Sequence, residues 1–165
     1  MRVIFLDIDG VLATIKQYNL TNQSKSWLQD YNVYPFDPKC VKVFNQILSQ
    51  TDAEIVISSD WRTEFTLEEL QDIFTINGVL RTPVDVTPLY PTSMSHYAKN
   101  RAGEIIKYTM DNNIGEDWIA IDDLNLYLWL EDHFFMCKSE NEGIKQSGLK
   151  QKIITNIKTW TESNN

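Results

Sequence analysis

Asp7 and Asp9 stand one residue apart at the end of the apolar run Val3-Ile4-Phe5-Leu6, and Gly10 follows them. Two carboxylates leaving a buried strand, beside a glycine that lets the chain turn sharply, can divide the work of phosphoryl transfer. One attacks phosphorus to give a covalent intermediate. The other protonates the leaving oxygen and later activates water. Plainer readings compete. An EF-hand calcium loop needs oxygen ligands at further fixed positions, and Val11 and Ala13 occupy two of them, which excludes it. A metal-dependent glycosyltransferase with an Asp-x-Asp site fits poorly, because its carboxylate pair does not normally end the first strand with a glycine behind it. A simple strand-end turn remains.

Three further clusters can serve the same chemistry. Ser58, with Ser59 beside it, follows Ile55-Val56-Ile57, where a hydroxyl and the succeeding N–H groups can donate to phosphoryl oxygens; a turn residue is the bland reading. Arg62 reaches either a phosphate or a surface carboxylate. Asp122 and Asp123 follow Ile119-Ala120-Ile121, and adjacent carboxylates repel unless a cation lies near them. Mg²⁺ with oxygen ligands relieves that repulsion; the alternative is a solvated turn in which Asp123 caps the next helix. Arg101 follows Asn100, a residue suited to cap a helix, so Arg101 is expected as the first helical residue, with dipole and amide donors at hand. Lys99 and Lys107 compete for the cationic role.

The elements that must position these residues alternate along the chain. Apolar runs at 2–7, 55–57, 118–121 and 134–136 read as strands, and 84–86 as a short one. Asp37-Pro38 opens a helix carrying Val41, Phe44, Ile47 and Leu48. Thr66 to Glu69 forms a capping box before Leu67, Leu70, Ile73 and Phe74, and Gly78 ends that helix. The helix after Asn100 is expected to turn Ala102, Ile105, Ile106 and Thr109 or Met110 to the core. The period of Leu124 to Leu130 fits strand and helix alike, and Leu149, Ile153, Ile154, Ile157 and Trp160 mark a last amphipathic helix. Alternating strands and helices predict an α/β fold, a three-layer sandwich around a central parallel sheet. Asp7, Ser58 and Asp122 each follow a strand, so they are expected to converge at the carboxyl edge of the sheet, where such folds place their sites.

The 165 residues are expected to form a single domain, 1–165, with 42 % hydrophobic and 23 % charged residues. Cys40 and Cys137 are too few for a disulfide framework and read as small buried residues. No apolar stretch is long enough for a signal peptide or membrane span, so a cytoplasmic location without membrane partners is expected. The net charge of −8 weighs against a broad basic surface and tight non-specific nucleic-acid binding.

Taken together, the order Asp-x-Asp-Gly-Val, strand-Ser, basic residue, strand-Asp-Asp, spanning residues 3 to 123, resembles the four motifs of haloacid dehalogenase (HAD) superfamily phosphatases. That resemblance implies a HAD-like Rossmannoid fold and an aspartyl-phosphate mechanism. Asp7 would be the nucleophile and Asp9 the acid/base, Ser58 would bind the phosphoryl group, and Arg101 would neutralise it. Mg²⁺ would be held by Asp7, the Asp9 carbonyl and Asp122 or Asp123. The family more often carries lysine where Arg101 stands, so Lys99 stays open beside it, as does Ser59 beside Ser58. Phe-Leu-Asp-x-Asp-Gly-Val-Leu, Ile-Val-x-Ser-Ser-x-Trp-Arg, Arg-x-x-Glu-Ile and Asp-Asp are similar, more narrowly, to the HAD domain of Swiss Army Knife RNA repair proteins. The intervals Ala13 to Glu54 and Asp60 to Lys99 leave no room for a folded cap domain beyond a loop and the expected helices. By family analogy a capless, open site suits a large or exposed phosphorylated substrate: a nucleic-acid end, a nucleotide or a phosphoprotein. The rival expectation is a non-catalytic regulatory module that keeps the fold and binds metal or phosphate.

Overall fold

β-branched and aromatic runs fold as parallel strands whose two faces are both buried. The computed structural model describes residues 2–25, 28, 30–90 and 97–162, the side chains of 158–162 excepted. Strands β1 (Val3–Leu6), β2 (Glu54–Ile57), β3 (Asp85–Val86), β4 (Trp118–Asp122) and β5 (Phe134–Met136) form one five-stranded parallel sheet in the order β3-β2-β1-β4-β5. Alternate residues of β1 divide the core. Ile4 and Leu6, with Ile55, Ile57, Ile119 and Ile121, pack against α2 (Pro38–Thr51), α3 (Leu67–Ile76) and α6 (Leu149–Glu162). Val3 and Phe5, with Val56, Trp118 and Ala120, pack against α4 (Tyr97–Asp111) and α5 (Tyr127–Leu130). This is the expected three-layer sandwich.

Local signals set the starts of α2 and α3. The Asp37 side chain accepts from the Lys39 N–H ahead of α2, and Thr66 and Glu69 form the reciprocal capping box of α3. Two elements differ from expectation. The first interval holds an extra helix, α1 (Ile15–Ser24), capped by Thr14; only Thr21 in it is buried, so it has no apolar period to reveal it. It stands in the interval with a single bridge between Leu28 and Val33, and no cap-sized unit forms there among the described residues. Helix α4 begins at Tyr97, so Asn100 lies inside its first turn and is not its cap. Helix α4 turns Tyr108, not Ile106 or Met110, to the core beside Ala102 and Ile105; Ile106 and Met110 are exposed. The ambiguous leucine segment resolves as α5, with Leu126 and Leu130 buried and Leu128 exposed. The side chain of Trp160 lies outside the described residues. No helix among the described residues is long and apolar enough to cross a membrane.

Candidate active site

Chain order reverses on either side of β1, which pairs with β2 on one edge and β4 on the other. Parallel sheets leave a crevice at the carboxyl ends of strands at such a switch point. Register carries the ladder one step past β1: the Asp7 N–H donates to the Ile121 carbonyl and the Ser58 N–H to the Leu6 carbonyl, each at 3.0 Å. Asp7, Ser58 and Asp122 thereby meet at one edge although far apart in sequence. Beyond Asp7 the chain coils tightly. The Ile8 carbonyl accepts from the N–H groups of Val11, Leu12 and Ala13, and Gly10 adopts φ +68°. A side chain at Gly10 would be strained and its Cβ would collide with the Asp123 carboxylate.

Arg101 is the centre of the site's charge balance. From the second turn of α4 its guanidinium donates through Nη1 to Asp7 (3.2 Å) and Asp122 (2.9 Å), and through Nη2 to Asp60 and the Tyr97 hydroxyl (3.1 Å each). Burial works against that charge, but Asp122, Asp7 and Asp60 outweigh it and hold the guanidinium pKa above its ordinary value. Lys99 is exposed on the other side of the helix, so the cation that faces Asp7 is Arg101. Its place in the helix, with the first turn ahead of it, means that the side chain and not a free helix end supplies the donors.

Asp7 is buried, and burial pushes its carboxyl up to about 6; Arg101 pulls the other way, Asp123 adds to the rise, and the Ser59 side chain, hydrogen-bonded to it, holds it down. The Ser59 Oγ also accepts from the Trp61 N–H at 3.4 Å. The Ser58 Oγ is buried with no hydrogen-bond partner among the described residues. Burial likewise raises Asp122, with the neighbouring Asp7 charge second, and Asp122 accepts from the Leu124 N–H at 2.9 Å. Asp123 is raised by burial and then by Glu140.

One carboxylate oxygen from each of Asp7, Asp122 and Asp123 lies within 4.8 Å of the others. Three crowded carboxylates with hard oxygen donors suit Mg²⁺, which takes oxygen ligands and retains water. Burial raises these carboxyl pKa values first and neighbouring carboxylates add to the rise, and a cation would relieve that repulsion. The Asp9 side chain is not part of this cluster. Tyr34 donates to its Oδ1 at 2.6 Å and Trp61 Nε1 to its Oδ2 at 2.8 Å. Burial and that contact with Asp9 raise the Tyr34 hydroxyl pKa, so it remains a donor.

Several contributors were invisible in the motifs. Arg62, read as reaching either a phosphate or a surface carboxylate, instead donates to the carbonyls of Ser58 and Ser59 and pairs with buried Glu104. It thus fixes the turn that presents Ser59. Glu104 also accepts from the Tyr90 N–H at 2.8 Å. Trp61 stands in the motif Ser-Ser-Asp-Trp-Arg, but its partner Asp9 is 52 residues away, and only the sheet register joins them.

Residues 3–147 match the family described as the HAD domain in Swiss Army Knife RNA repair proteins. The chain belongs to this family. It is thereby a HAD-superfamily domain, and the five-stranded parallel sheet with helices on both faces agrees with the fold of that superfamily. Neither a curated protein nor a solved structure matches the chain.

Proposed function

We propose that this HAD domain, acting as one unit over residues 1–165, is a Mg²⁺-dependent phosphomonoester hydrolase that works through an aspartyl-phosphate on Asp7. The observation that carries this reading is Asp7 itself, a buried carboxylate at a strand end held by the Arg101 guanidinium, with Asp9 anchored nearby by Trp61 and Tyr34. Donors fixed around a position where charge develops stabilise the transition state without reorganising.

An Asp7 oxygen forms a bond to phosphorus as the bond to the ester oxygen breaks, and Asp9 gives its proton to that oxygen. Water then attacks phosphorus, Asp9 takes its proton, and the Asp7–phosphate bond breaks to release inorganic phosphate. Arg101, with the Ser58 or Ser59 hydroxyl, holds the equatorial oxygens through both steps. Asp7, Asp122 or Asp123 and the Asp9 carbonyl would hold Mg²⁺, which supplies positive charge to the phosphoryl oxygens when bound. Trp61 and Tyr34 keep Asp9 in one orientation through both proton transfers. The family's description points to a phosphorylated nucleic-acid end as substrate. Localisation in the cytoplasm accords with two buried, unpaired cysteines.

Hydrolysis of an aryl phosphate tests the reading. Turnover that requires Mg²⁺ and is lost in Asp7→Asn, with the fold intact, is expected. Mg²⁺-independent turnover, or activity retained in Asp7→Asn, contradicts it, and no turnover of any phosphorylated RNA end, nucleotide or phosphopeptide would favour the binding module.

A further inference from the structure

Arg101 and Glu104 stand three residues apart on one face of α4, in the string Arg-Ala-Gly-Glu-Ile, and both are buried. Arg101 reaches Asp7. Glu104 reaches no reacting group, yet both of its oxygens are spent. Its Oε2 accepts from Arg62 Nη2 and its Oε1 from the Tyr90 N–H. Three pieces of chain therefore meet on one carboxylate: α4, the turn after β2 and the segment after β3. Gly103 admits the Tyr90 ring, since a Cβ there would stand 3.0 Å from it. The Arg62 and Glu104 side chains are only 2 % and 3 % exposed. The other carboxylate near Arg62 among the described residues, Asp60, is 3.8 Å away and already engaged by Arg101. Burial lowers the Arg62 pKa, Glu104 opposes that, and the Arg101 charge adds to the fall. Glu104 is thus the buried counter-charge that lets a second guanidinium stay beside Arg101, where an unpaired one would be costly. Arg62, so held, donates through Nη1 to the carbonyls of Ser58 and Ser59. Those bonds fix the turn on which the Ser58 Oγ is buried with no partner among the described residues.

We propose that Glu104 is a positioning residue for phosphoryl transfer, acting through Arg62 on the Ser58–Ser59 turn. The inference rests on the phosphatase reading above and adds to it a residue that touches neither substrate nor metal. Helix α4 works as a ruler. One face carries the guanidinium that meets the phosphoryl oxygens and, less than a turn later, the carboxylate that sets where the serine donors stand relative to it. Donors stabilise developing charge best when they are already in place, and a displacement on the order of 1 Å can cost about 10²-fold in rate. Arg62 itself is kept away from the phosphoryl group, because its Nη atoms are consumed by the turn and by Glu104. A pair that served stability alone could be exchanged for apolar side chains of similar volume without loss. A pair that sets the turn could not.

That difference is the test. Arg62→Met combined with Glu104→Leu removes both charges and fills the same space, so its melting temperature should stay close to wild type. Its kcat/KM on an aryl phosphate with Mg²⁺ should nonetheless fall on the order of tenfold or more. Adding Glu104→Leu to Arg62→Met should cost no further activity, because a carboxylate that acts through Arg62 has nothing left to act on. Glu104→Gln keeps the shape but turns an amide N–H toward one of the two donors. It should fall in the same direction, and it decides the question if the double variant does not fold. Calorimetric binding of inorganic phosphate in the presence of Mg²⁺ needs no turnover and should weaken on the same scale in both variants. Wild-type kcat/KM and phosphate affinity in the folded double variant or in Glu104→Gln would overturn the proposal and leave the phosphatase reading standing. A wild type that turns over no phosphomonoester sinks the phosphatase reading instead. Phosphate binding that weakens in the variants then still supports the positioning role, and equal or absent binding overturns it.

Discussion

At the scale of the residue, the site is an account of how one guanidinium makes room for several carboxylates. Asp7 and Asp122 are both buried, and Arg101 bridges them. The Asp7 carboxyl is raised to about 6 from an ordinary 3.8, mainly by burial, so the folded state holds its proton more tightly than the unfolded chain. Stability contributed by Asp7 is therefore present below about pH 4 and lost as pH rises toward 6. Asp7→Asn cannot titrate. Without Mg²⁺, the stability of wild type relative to this variant should decline across that interval by on the order of 1–3 kcal/mol. Thermal melts of the two proteins at a series of pH values check this, and a difference that is flat or grows with pH would contradict it. Arg101 carries the second prediction. Arg101→Ala should lower kcat on the order of 10²-fold or more, because donors to the developing charge are lost. Arg101→Lys should recover part of it, keeping charge but losing the paired donors. Lys99→Ala should be near normal, since Lys99 faces solvent. Steady-state rates of the three variants on one substrate decide, and a crippled Lys99→Ala would move the cationic role to that residue.

At the scale of the element, what was legible in the sequence is what local chemistry and period determine. The strand ends that carry Asp7, Ser58 and Asp122 were readable because a parallel strand buried on both faces is a continuous apolar run. The caps at Asp37 and Thr66 were readable because capping is a contact over two or three residues. Helix α1 was not, since a helix exposed on nearly every side lacks the apolar stripe that announces one. The start of α4 was missed because asparagine fits both a cap and a first turn, and only the reach from Tyr97 to Arg101 shows which. Tyr34, Trp61 and Glu104 could not be assigned roles because their partners lie 25, 52 and 42 residues away. Ser58 and Ser59 could not be told apart in the sequence because a one-residue step at a strand end reverses side-chain direction. The coil from Ile8 to Ala13 offers its own test. Gly10→Ala places a side chain at φ +68° and against Asp123. It should cost about 1–2 kcal/mol from the left-handed conformation alone. By displacing Asp123 it should also shrink the rise in melting temperature that millimolar Mg²⁺ gives the wild type by mass action. Melting curves with Mg²⁺ and with chelator measure both effects; a Mg²⁺ shift as large as wild type would remove Asp123 from the metal site.

At the scale of the whole molecule, the sheet order is what converts scattered motifs into one centre. β1 lies in the middle, flanked by β2 and β4, so the three strand ends that bear functional groups are neighbours. The two helical layers then serve different ends. α2, α3 and α6 close the larger core, while α4 on the other face supplies Arg101 to the crevice together with its packing residues. The central claim is that phosphorus becomes covalently bound to Asp7. Its most direct test is to mix the protein, and an Asp9→Asn variant slowed in the water step, with phosphate-labelled nitrophenyl phosphate, whose leaving group departs without a proton from Asp9, and Mg²⁺, quench in acid, and map the label by peptide mass spectrometry. The account predicts label on Asp7, at higher occupancy in Asp9→Asn and absent from Asp7→Asn. Turnover of the substrate with no label on the chain, or label on any other residue, would contradict it.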